Sequence, residues 1–335
     1  MNSRERFRAV MNFEPFDRLP LVEWAVWWGE TVERWHGEDL PQDLKNRYEL
    51  YDYFGLENYW QEVIDERMPD CPGPASYGAG IIETDRDYEE IRKLLYPRPA
   101  IASRHHWEWL ADRQVRGEIV LWFSLEGFFG HARELLGIER HLLAFHDQPK
   151  LMHRINSDLA EWIIGVIEEI TAYCEPDFMT FFEDMSYNHG SMLSEEHFRE
   201  FLYPYYRMVI PELEKHRIMP ITDSDGDISV PAYWFEDAGL QGILPLERQA
   251  GVDIARLRND HPRMRFIGHF DKMTMNRGEG AMRAEFERLL PIAAKGGFIP
   301  SVDHQTPPGV SLDQYQTYLR LFREYAEKAG ELSRS

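Results

Sequence analysis

Short, continuously apolar runs alternate with longer amphipathic segments along most of this chain. The apolar runs have the length and composition of strands that are buried on both faces. They lie at residues 19–24, 118–124, 177–182, 217–222, 240–246, 264–270 and 297–302. The segments at residues 148–173, 194–216, 274–295 and 311–329 carry apolar side chains at helical spacing. This alternation predicts an α/β fold with a parallel sheet.

A single (β/α)8 TIM barrel is the architecture that best fits 335 residues with seven predicted strands and room for an eighth. An open doubly wound sheet ranks second, because no Gly-x-Gly-x-x-Gly motif follows the first predicted strand. The absence of an internal repeat or a low-complexity linker favours one domain over residues 1–335. Residues 1–115 are expected to form a helical cover plus the first strand, and residues 116–330 the remaining barrel.

The balance of charge excludes two classes of partner. The chain has 37 Lys and Arg against 58 Asp and Glu, a net charge of −21. A chain this acidic repels nucleic acid and anionic membranes, because both need a basic surface. No apolar run reaches the length of a membrane span, and the first residues lack the apolar core of a signal peptide. With only two cysteines, Cys71 and Cys174, the chain is expected in the reducing cytoplasm. The oligomeric state stays open, a homodimer included.

Acidic or imidazole side chains follow almost every predicted strand. In a parallel barrel the carboxyl ends of the strands meet at one mouth, where the chemistry takes place. Several like charges around one mouth are costly unless a cation or protons compensate them. The sequence therefore predicts a bound metal or a basic substrate, with ordinary acidic loops as the alternative. The residues are Glu23, Glu126, Glu183, Asp184, Asp223, Asp225, Asp227, Glu247, His269, Asp271, Asp303 and His304.

Four of these residues have the chemistry of a metal site. Asp223 and Asp225 point the same way because side chains in an extended segment alternate. Glu247 and His304, from other strand ends, would complete a set of oxygen and nitrogen ligands. Zn²⁺ accepts three ligands of this kind and keeps a position open, although Mg²⁺ or Mn²⁺ also suit the set. An Asx-turn at Asp225 and a hydrogen-bonded loop histidine at His304 are the alternatives.

Substrate contacts are expected from aromatic and polar side chains near the same strand ends. Three tryptophans close to the first predicted strand would form an aromatic wall for a flat ligand, or would only pack beneath the helical cover. The histidines and the aspartate would contact polar groups of the substrate, with a surface position as the alternative for His189. The candidates are Trp24, Trp27, Trp28, His131, His189, His269 and Asp303.

Several segments resemble the uroporphyrinogen decarboxylase (URO-D) superfamily. The opening of the chain carries RERF and FEPFDRLP, and later segments carry FEDM, DSDGD, PLE, GHFDK and IPSVDH. These stand at residues 4–7, 13–20, 182–185, 223–227, 245–247, 268–272 and 299–304. The resemblance covers almost the whole chain, and it implies a TIM barrel.

The resemblance implies one of two chemistries. Some members decarboxylate the acetate arms of uroporphyrinogen without a cofactor, and others move methyl groups to or from a corrinoid protein or a thiol with zinc. True decarboxylases carry an arginine-rich segment after the first strand, whereas residues 21–28 here read LVEWAVWW. A mouth that is acidic and poor in arginine also suits a polyanionic porphyrin badly. The methyltransferase-like branch is therefore favoured.

The methyltransferases that this chain resembles place His-x-Cys after the fourth strand and Cys after the last. The matching positions here are Asp223, Asp225 and His304. Harder ligands leave zinc more electrophilic, which suits an ether-bound or amine-bound methyl group. Glu183 or Asp184 would act as the general acid on the leaving atom.

These implications define the expected activity. We expect a metal-dependent methyltransferase that moves a methyl group from a small O- or N-methylated compound to a corrinoid protein, as an O-demethylase component does. Cobalamin would arrive on that separate partner protein. The alternatives are a cofactor-free decarboxylase of porphyrin biosynthesis and a non-catalytic barrel that only binds its ligand.

Overall fold

The structure, a computed structural model, describes residues 1–101 and 103–335. The helices are α1 (Ser3–Met11), α2 (Gly29–His36), α3 (Arg47–Phe54), α4 (Asp85–Ile91), α5 (Arg104–Val115), α6 (Gly130–Leu136), α7 (Ile138–Asp147), α8 (Pro149–Thr171), α9 (Glu195–His197), α10 (Tyr203–Lys215), α11 (Pro231–Ala238), α12 (Ile254–Asp260), α13 (Glu279–Ala293) and α14 (Leu312–Ser333). The strands are β1 (Tyr59–Val63), β2 (Val120–Glu126), β3 (Phe178–Phe182), β4 (Ser186–Tyr187), β5 (Gly190–Ser191), β6 (Met219–Asp223), β7 (Gly242–Leu244), β8 (Arg265–Phe270) and β9 (Phe298–Val302).

Seven strands form one sheet in the order β1-β2-β3-β6-β7-β8-β9 within the described residues. The pairs β2–β3, β3–β6 and β8–β9 are parallel. The two short strands β4 and β5 form a separate antiparallel hairpin. The predicted α/β class with a parallel sheet is therefore confirmed, while closure into an eight-stranded barrel under a helical cover stays a prediction.

The predicted first strand at residues 19–24 is wrong. This segment is buried, but its backbone bonds go to unrelated partners: the Leu19 N–H donates to the Ala326 carbonyl at 3.1 Å, and the Leu21 carbonyl accepts from the Glu57 N–H at 2.7 Å. Pro20 has no N–H to give to a ladder. The first strand of the sheet is β1 instead, whose sequence YWQEV is half polar and gives no apolar run.

The chain divides into two compact units by its internal contacts, and the first comprises residues 1–60, 113–120 and 243–335. Its long C-terminal helix α14 begins at a capping box between Ser311 and Gln314 and packs on α13. An aromatic cluster forms around Tyr315, whose ring centroid lies 4.6 Å from that of Trp35 and 5.0 Å from that of Phe54. Burial of each such ring stabilises the unit by about 2–3 kcal/mol.

The second unit comprises residues 61–112 and 121–242. Its central helix α8 starts with Pro149 in the first turn, where the missing N–H costs nothing. Leu159, Ile163 and Ile170 lie on the buried stripe that the sequence predicts, and α8 packs against α7 and α10. None of the helices in the described part of the chain has both the length and the hydropathy of a membrane span.

Helix α7 in this unit buries an imidazole that lacks a polar partner. His141 is fully buried, with its ring centroid 4.5 Å from that of Phe129 and 5.1 Å from that of Phe145. Neither ring nitrogen has a hydrogen-bond partner among the described residues. Burial, helped by the charge of Arg133, lowers the pKa of His141 to about 3. The protein therefore folds around a neutral imidazole.

Replacing His141 by leucine should stabilise the protein. At neutral pH we expect a gain of about 1 kcal/mol, because an unsatisfied polar group leaves the core. The unfolded chain protonates His141 near its ordinary pKa of 6.5, whereas the folded chain does so only near 3. Wild-type stability therefore falls by about 1.4 kcal/mol per pH unit below 6.5 through this residue, and the variant escapes that loss. Urea unfolding at pH 7 and pH 5.5 measures both effects.

The matched control is His146→Leu, an exposed position on the same helix. It should change the free energy of unfolding by no more than about 0.5 kcal/mol. A His141→Leu variant that is less stable than the wild type at both pH values would show that the imidazole has a polar role.

Candidate functional site

The carboxyl ends of β2, β3 and β6 lie side by side in the second unit. Glu126 is opposite Phe182 in the register, and Phe182 is opposite Asp223. The next residue, Glu183, continues the ladder by donating its N–H to the Asp223 carbonyl at 2.9 Å. The parallel register therefore brings the acidic residues that follow these strands to one edge of the sheet.

Glu183 has a fully buried carboxyl group with four hydrogen-bond donors around it. The backbone N–H groups of Phe128, Phe129 and Gly130 donate to it at 2.9, 2.7 and 3.2 Å. The Tyr206 hydroxyl also donates to it. Burial raises the pKa of Glu183 to about 7, although Tyr206 and the backbone donors favour the ionised form. This carboxyl group fixes the start of α6, which leaves it little freedom for proton transfer to a substrate.

Asp184 faces a different environment. Its backbone has a positive φ of 42°, which turns the side chain away from that of Glu183. One carboxylate oxygen accepts the Asp225 N–H at 3.2 Å, and the other lies 3.6 Å from the Arg133 guanidinium. Of the two predicted acids, Asp184 is the partly exposed one, and it is joined to the loop of Asp225.

The predicted ligands Asp223 and Asp225 belong to this acidic edge. Burial raises the pKa of Asp223 well above its usual range, and the charges of Asp184 and Asp225 raise it further. Like charges this close disfavour full ionisation unless a proton or a cation compensates them.

Asp225, Glu247 and His304 each have a side chain that can bind a metal ion. Asp225 follows β6 in the second unit, and Glu247 and His304 follow β7 and β9 in the first unit. All three residues are partly buried. Two carboxylates and an imidazole are a donor set that Zn²⁺ accepts.

The three predicted tryptophans have different surroundings in the first unit. The Trp24 indole N–H donates to the Val302 carbonyl at 2.7 Å, and its ring lies edge-on to that of His304 with centroids 6.4 Å apart. Trp27 is buried in the aromatic cluster, 5.9 Å from Tyr315 between ring centroids. Trp28 is exposed. Of the three tryptophans, Trp24 is therefore the one whose ring lies beside a predicted metal ligand, His304.

The remaining substrate candidates lie at different depths. His189 is exposed in the turn between β4 and β5. His269 is fully buried, contacts the Leu246 carbonyl at 2.9 Å, and has its pKa lowered to about 4 by burial. Asp303 is fully buried beside the Lys272 ammonium at 3.4 Å, and burial raises its pKa to about 6. His131 is fully buried, and both its ring nitrogens contact polar side chains. Their roles as substrate contacts stay predictions.

Sequence reasoning missed two residues beside this edge. Glu66 follows β1, a strand that the apolar pattern does not reveal, and Tyr96 lies in an irregular loop. Glu126 ends β2, as its position in the sequence predicts. Burial, followed by the charges of Glu134, Glu66 and Glu183, raises the pKa of Glu126 well above its usual range. No sequence motif marks Glu66 or Tyr96, because only tertiary packing brings them to α6.

A family model described as uroporphyrinogen decarboxylase (URO-D) matches residues 109–325, which is more than half of the chain. The chain belongs to the URO-D family. The family resemblance of the sequence motifs is therefore confirmed. No curated protein shows a sequence match to this URO-D family member.

Solved structures match this chain at low sequence identity. A methyltransferase from Methanosarcina mazei superposes with a TM-score of 0.66 at 14% identity, over 97% of this chain and 99% of the other. A Listeria monocytogenes protein assigned as a vitamin-B12 independent methionine synthase gives a TM-score of 0.42 at 12% identity, over 96% and 97% of the two chains. The first likeness shows that this URO-D family chain has the fold of that methyltransferase.

Glu183 and Asp184 should differ sharply when each is replaced by its amide. Glu183→Gln places an NH2 group against backbone N–H donors in a buried site, so we expect a loss of about 2–3 kcal/mol in the free energy of unfolding. Asp184→Asn, at a half-exposed side chain, should cost less than about 1 kcal/mol. Urea denaturation followed by tryptophan fluorescence measures both. Equal stability of Glu183→Gln and wild type would contradict the structural role.

Proposed function

We propose that this chain is a metal-dependent methyltransferase that moves a methyl group from a small O- or N-methylated compound to a corrinoid protein, with a (β/α)8 barrel under a helical cover as scaffold. The observation that carries the proposal is the chemistry of the partly buried residues Asp225, Glu247 and His304, which offer two carboxylates and one imidazole. The shared fold with a methyltransferase from Methanosarcina mazei is consistent with it.

The residues present fit a divalent metal by two criteria. Their donors are two carboxylates and one imidazole, and zinc sites with three such ligands keep a position open for water or substrate. The like charges that raise the pKa of Asp223 are also those that a cation would offset. Zinc held by Asp225, Glu247 and His304 would supply a Lewis acid that polarises the atom bearing the methyl group.

We assign the proton transfer to Asp184. The leaving oxygen or nitrogen needs a proton when the methyl group departs, and a carboxyl group within reach can donate it. The carboxyl group of Glu183 is taken up by backbone donors and Tyr206, whereas that of Asp184 is partly exposed and bonded to the loop of Asp225. The Arg133 guanidinium donates a hydrogen bond to the backbone carbonyl of Asp184 at 2.9 Å, which holds Asp184 in place.

The charge of the chain disfavours the decarboxylase alternative. A porphyrinogen with several carboxylates needs cationic forks, and residues 21–28 contain no arginine. The net charge of −21 would also repel such a substrate. A small methylated compound faces neither obstacle. Cobalamin on a partner protein, and location in the reducing cytoplasm, remain parts of this proposal.

Metal binding should depend on the three ligands. Wild-type protein stripped of metal and titrated with Zn²⁺ should bind about one ion per chain by calorimetry and elemental analysis. Asp225→Ala, Glu247→Ala and His304→Ala should each weaken binding by at least about tenfold. The control is His189→Ala, an exposed histidine, which should bind zinc as the wild type does. A wild type that takes up neither Zn²⁺, Mg²⁺ nor Mn²⁺ overturns the metal site.

Methyl transfer should be detectable with free cob(I)alamin in place of the corrinoid protein. Zinc-loaded enzyme with methanol, methylamines or methoxylated benzoates should form methylcobalamin, which the absorbance spectrum reports. Asp184→Asn should retain its zinc but lose about 100-fold in rate, the usual contribution of a general acid.

Two outcomes would decide against methyl transfer. Decarboxylation of uroporphyrinogen by the metal-free protein, with no methylcobalamin from any donor, would establish the cofactor-free reaction. Tight binding of a methylated compound that is never turned over would identify a binding protein.

A further inference from the structure

A chain of polar side chains in the second unit runs from the protein interior to its surface. His131 on α6 contacts Glu66 through Nδ1 at 3.2 Å and the Tyr96 hydroxyl through Nε2 at 3.0 Å. The Tyr96 hydroxyl lies 3.1 Å from that of Tyr88, which donates to Asp158 at 2.9 Å. His131 is fully buried, whereas Asp158 is partly exposed. Three consecutive contacts of hydrogen-bond length therefore connect the buried imidazole to Asp158, and a fourth joins it to Glu66.

The number of protons decides how these contacts are filled. A neutral His131 brings one proton and the two tyrosines one each, so three protons serve four contacts. A doubly protonated His131 brings two, and then every contact holds one proton. In that state His131 donates to Glu66 and Tyr96, Tyr96 donates to Tyr88, and Tyr88 donates to Asp158. Because an unfilled contact between buried polar groups is costly, four protons satisfy these contacts better than three.

Carboxylates lie at both ends of this series of contacts. Glu66 and Asp158 are carboxylates at the two ends, and Asp158 is held by two hydrogen bonds from Arg92 at 2.6 and 2.8 Å. Burial alone would raise the pKa of Glu66, but the hydrogen bond and charge of His131 hold it below its usual range. Arg67 lies 3.8 Å from Glu66. Glu126 at the end of β2 interacts electrostatically with Glu66, and also with Glu134, Glu183 and Arg133.

Tyr96 is held in place by its backbone. Its φ is +60°, a conformation that a tyrosine adopts only when its neighbours impose it. Its N–H donates to the Glu66 carbonyl at 2.6 Å, so the residues on either side of His131 are bonded to each other. The backbone therefore fixes the positions of Tyr96 and Glu66 on the two sides of His131.

We propose that Glu66, His131, Tyr96, Tyr88 and Asp158 form a proton relay between the buried acidic edge of the sheet and the surface. This relay stands apart from the proposed methyl transfer. It would supply or remove protons for whatever reaction occurs beside Glu66 and Glu126. In the outward direction, His131 Nε2 gives its proton to Tyr96, Tyr96 passes its own to Tyr88, and Tyr88 passes its own to Asp158. The imidazole becomes neutral, Asp158 becomes a carboxylic acid, and Asp158 then releases the proton to water.

The relay is testable by nitrogen NMR on the full chain labelled at its histidines. The spectrum of His131→Gln identifies the signals of His131 by their loss. Tyr88→Phe and Tyr96→Phe each remove one hydroxyl and keep the ring. Both should slow the exchange of the His131 ring protons with solvent by about tenfold or more, the effect of a barrier raised by one lost hydrogen bond.

A merely structural role for the tyrosines predicts the opposite sign. Loosened packing would open the site and speed up exchange. The matched control is Tyr205→Phe. The Tyr205 hydroxyl contacts His153 at 2.9 Å and is not part of the relay, so its loss should leave the proton exchange of His131 unchanged. Thermal unfolding of each variant confirms that it is folded. Exchange that is unchanged or faster in both Tyr88→Phe and Tyr96→Phe overturns the relay.

Discussion

The buried carboxyl group of Glu183 ties together three elements of the second unit. It follows β3, accepts from the three N–H groups at the start of α6, and accepts from Tyr206 on α10. A buried carboxyl group survives only when its oxygens are bonded, and the N-terminus of a helix offers N–H groups that have no other partner. The interaction therefore satisfies both sides at once. It also fixes α6, and with it His131, Arg133 and Glu134.

The adjacent residues Glu183 and Asp184 have different surroundings because their backbone conformations direct the two side chains apart. Glu183 lies in the interior and holds α6, while the positive φ of Asp184 directs its carboxylate to Asp225 and Arg133. The Glu183 carboxyl group is buried and fully hydrogen-bonded, whereas the carboxylate of the next residue, Asp184, is partly exposed and lies near a charged group. The acidic residues after the strands are therefore not one cluster with one purpose. Some of these acidic residues, such as Glu183, stabilise the fold, and others, such as Asp184, remain partly exposed and accessible to a substrate.

The apolar runs predicted most of the sheet, because strands buried on both faces need continuous apolar sequence. The six later runs coincide with β2, β3, β6, β7, β8 and β9. Two segments depart from that rule. The run at residues 19–24 is buried by packing without ladder bonds, and β1 is a strand whose side chains are only half buried. The candidate site follows the same pattern, since strand-end acids are visible in the sequence. By contrast, Tyr88 comes from α4, and Glu66 and Tyr96 come from irregular segments.

The sequence by itself determined the family, the α/β class and the kinds of donor available, because motifs and apolar periodicity are local properties of the chain. It also selected Asp223, Asp225, Glu247 and His304 as metal ligands by their chemistry and spacing, a role that stays a prediction. Only the tertiary structure decided which acidic side chains are buried and fully hydrogen-bonded and which are accessible. It also placed His131 between Glu66 and Tyr96. The reason is that hydrogen-bond partners and burial depend on side chains distant in sequence, and the polar side chains that form such contacts leave no periodic pattern along the chain.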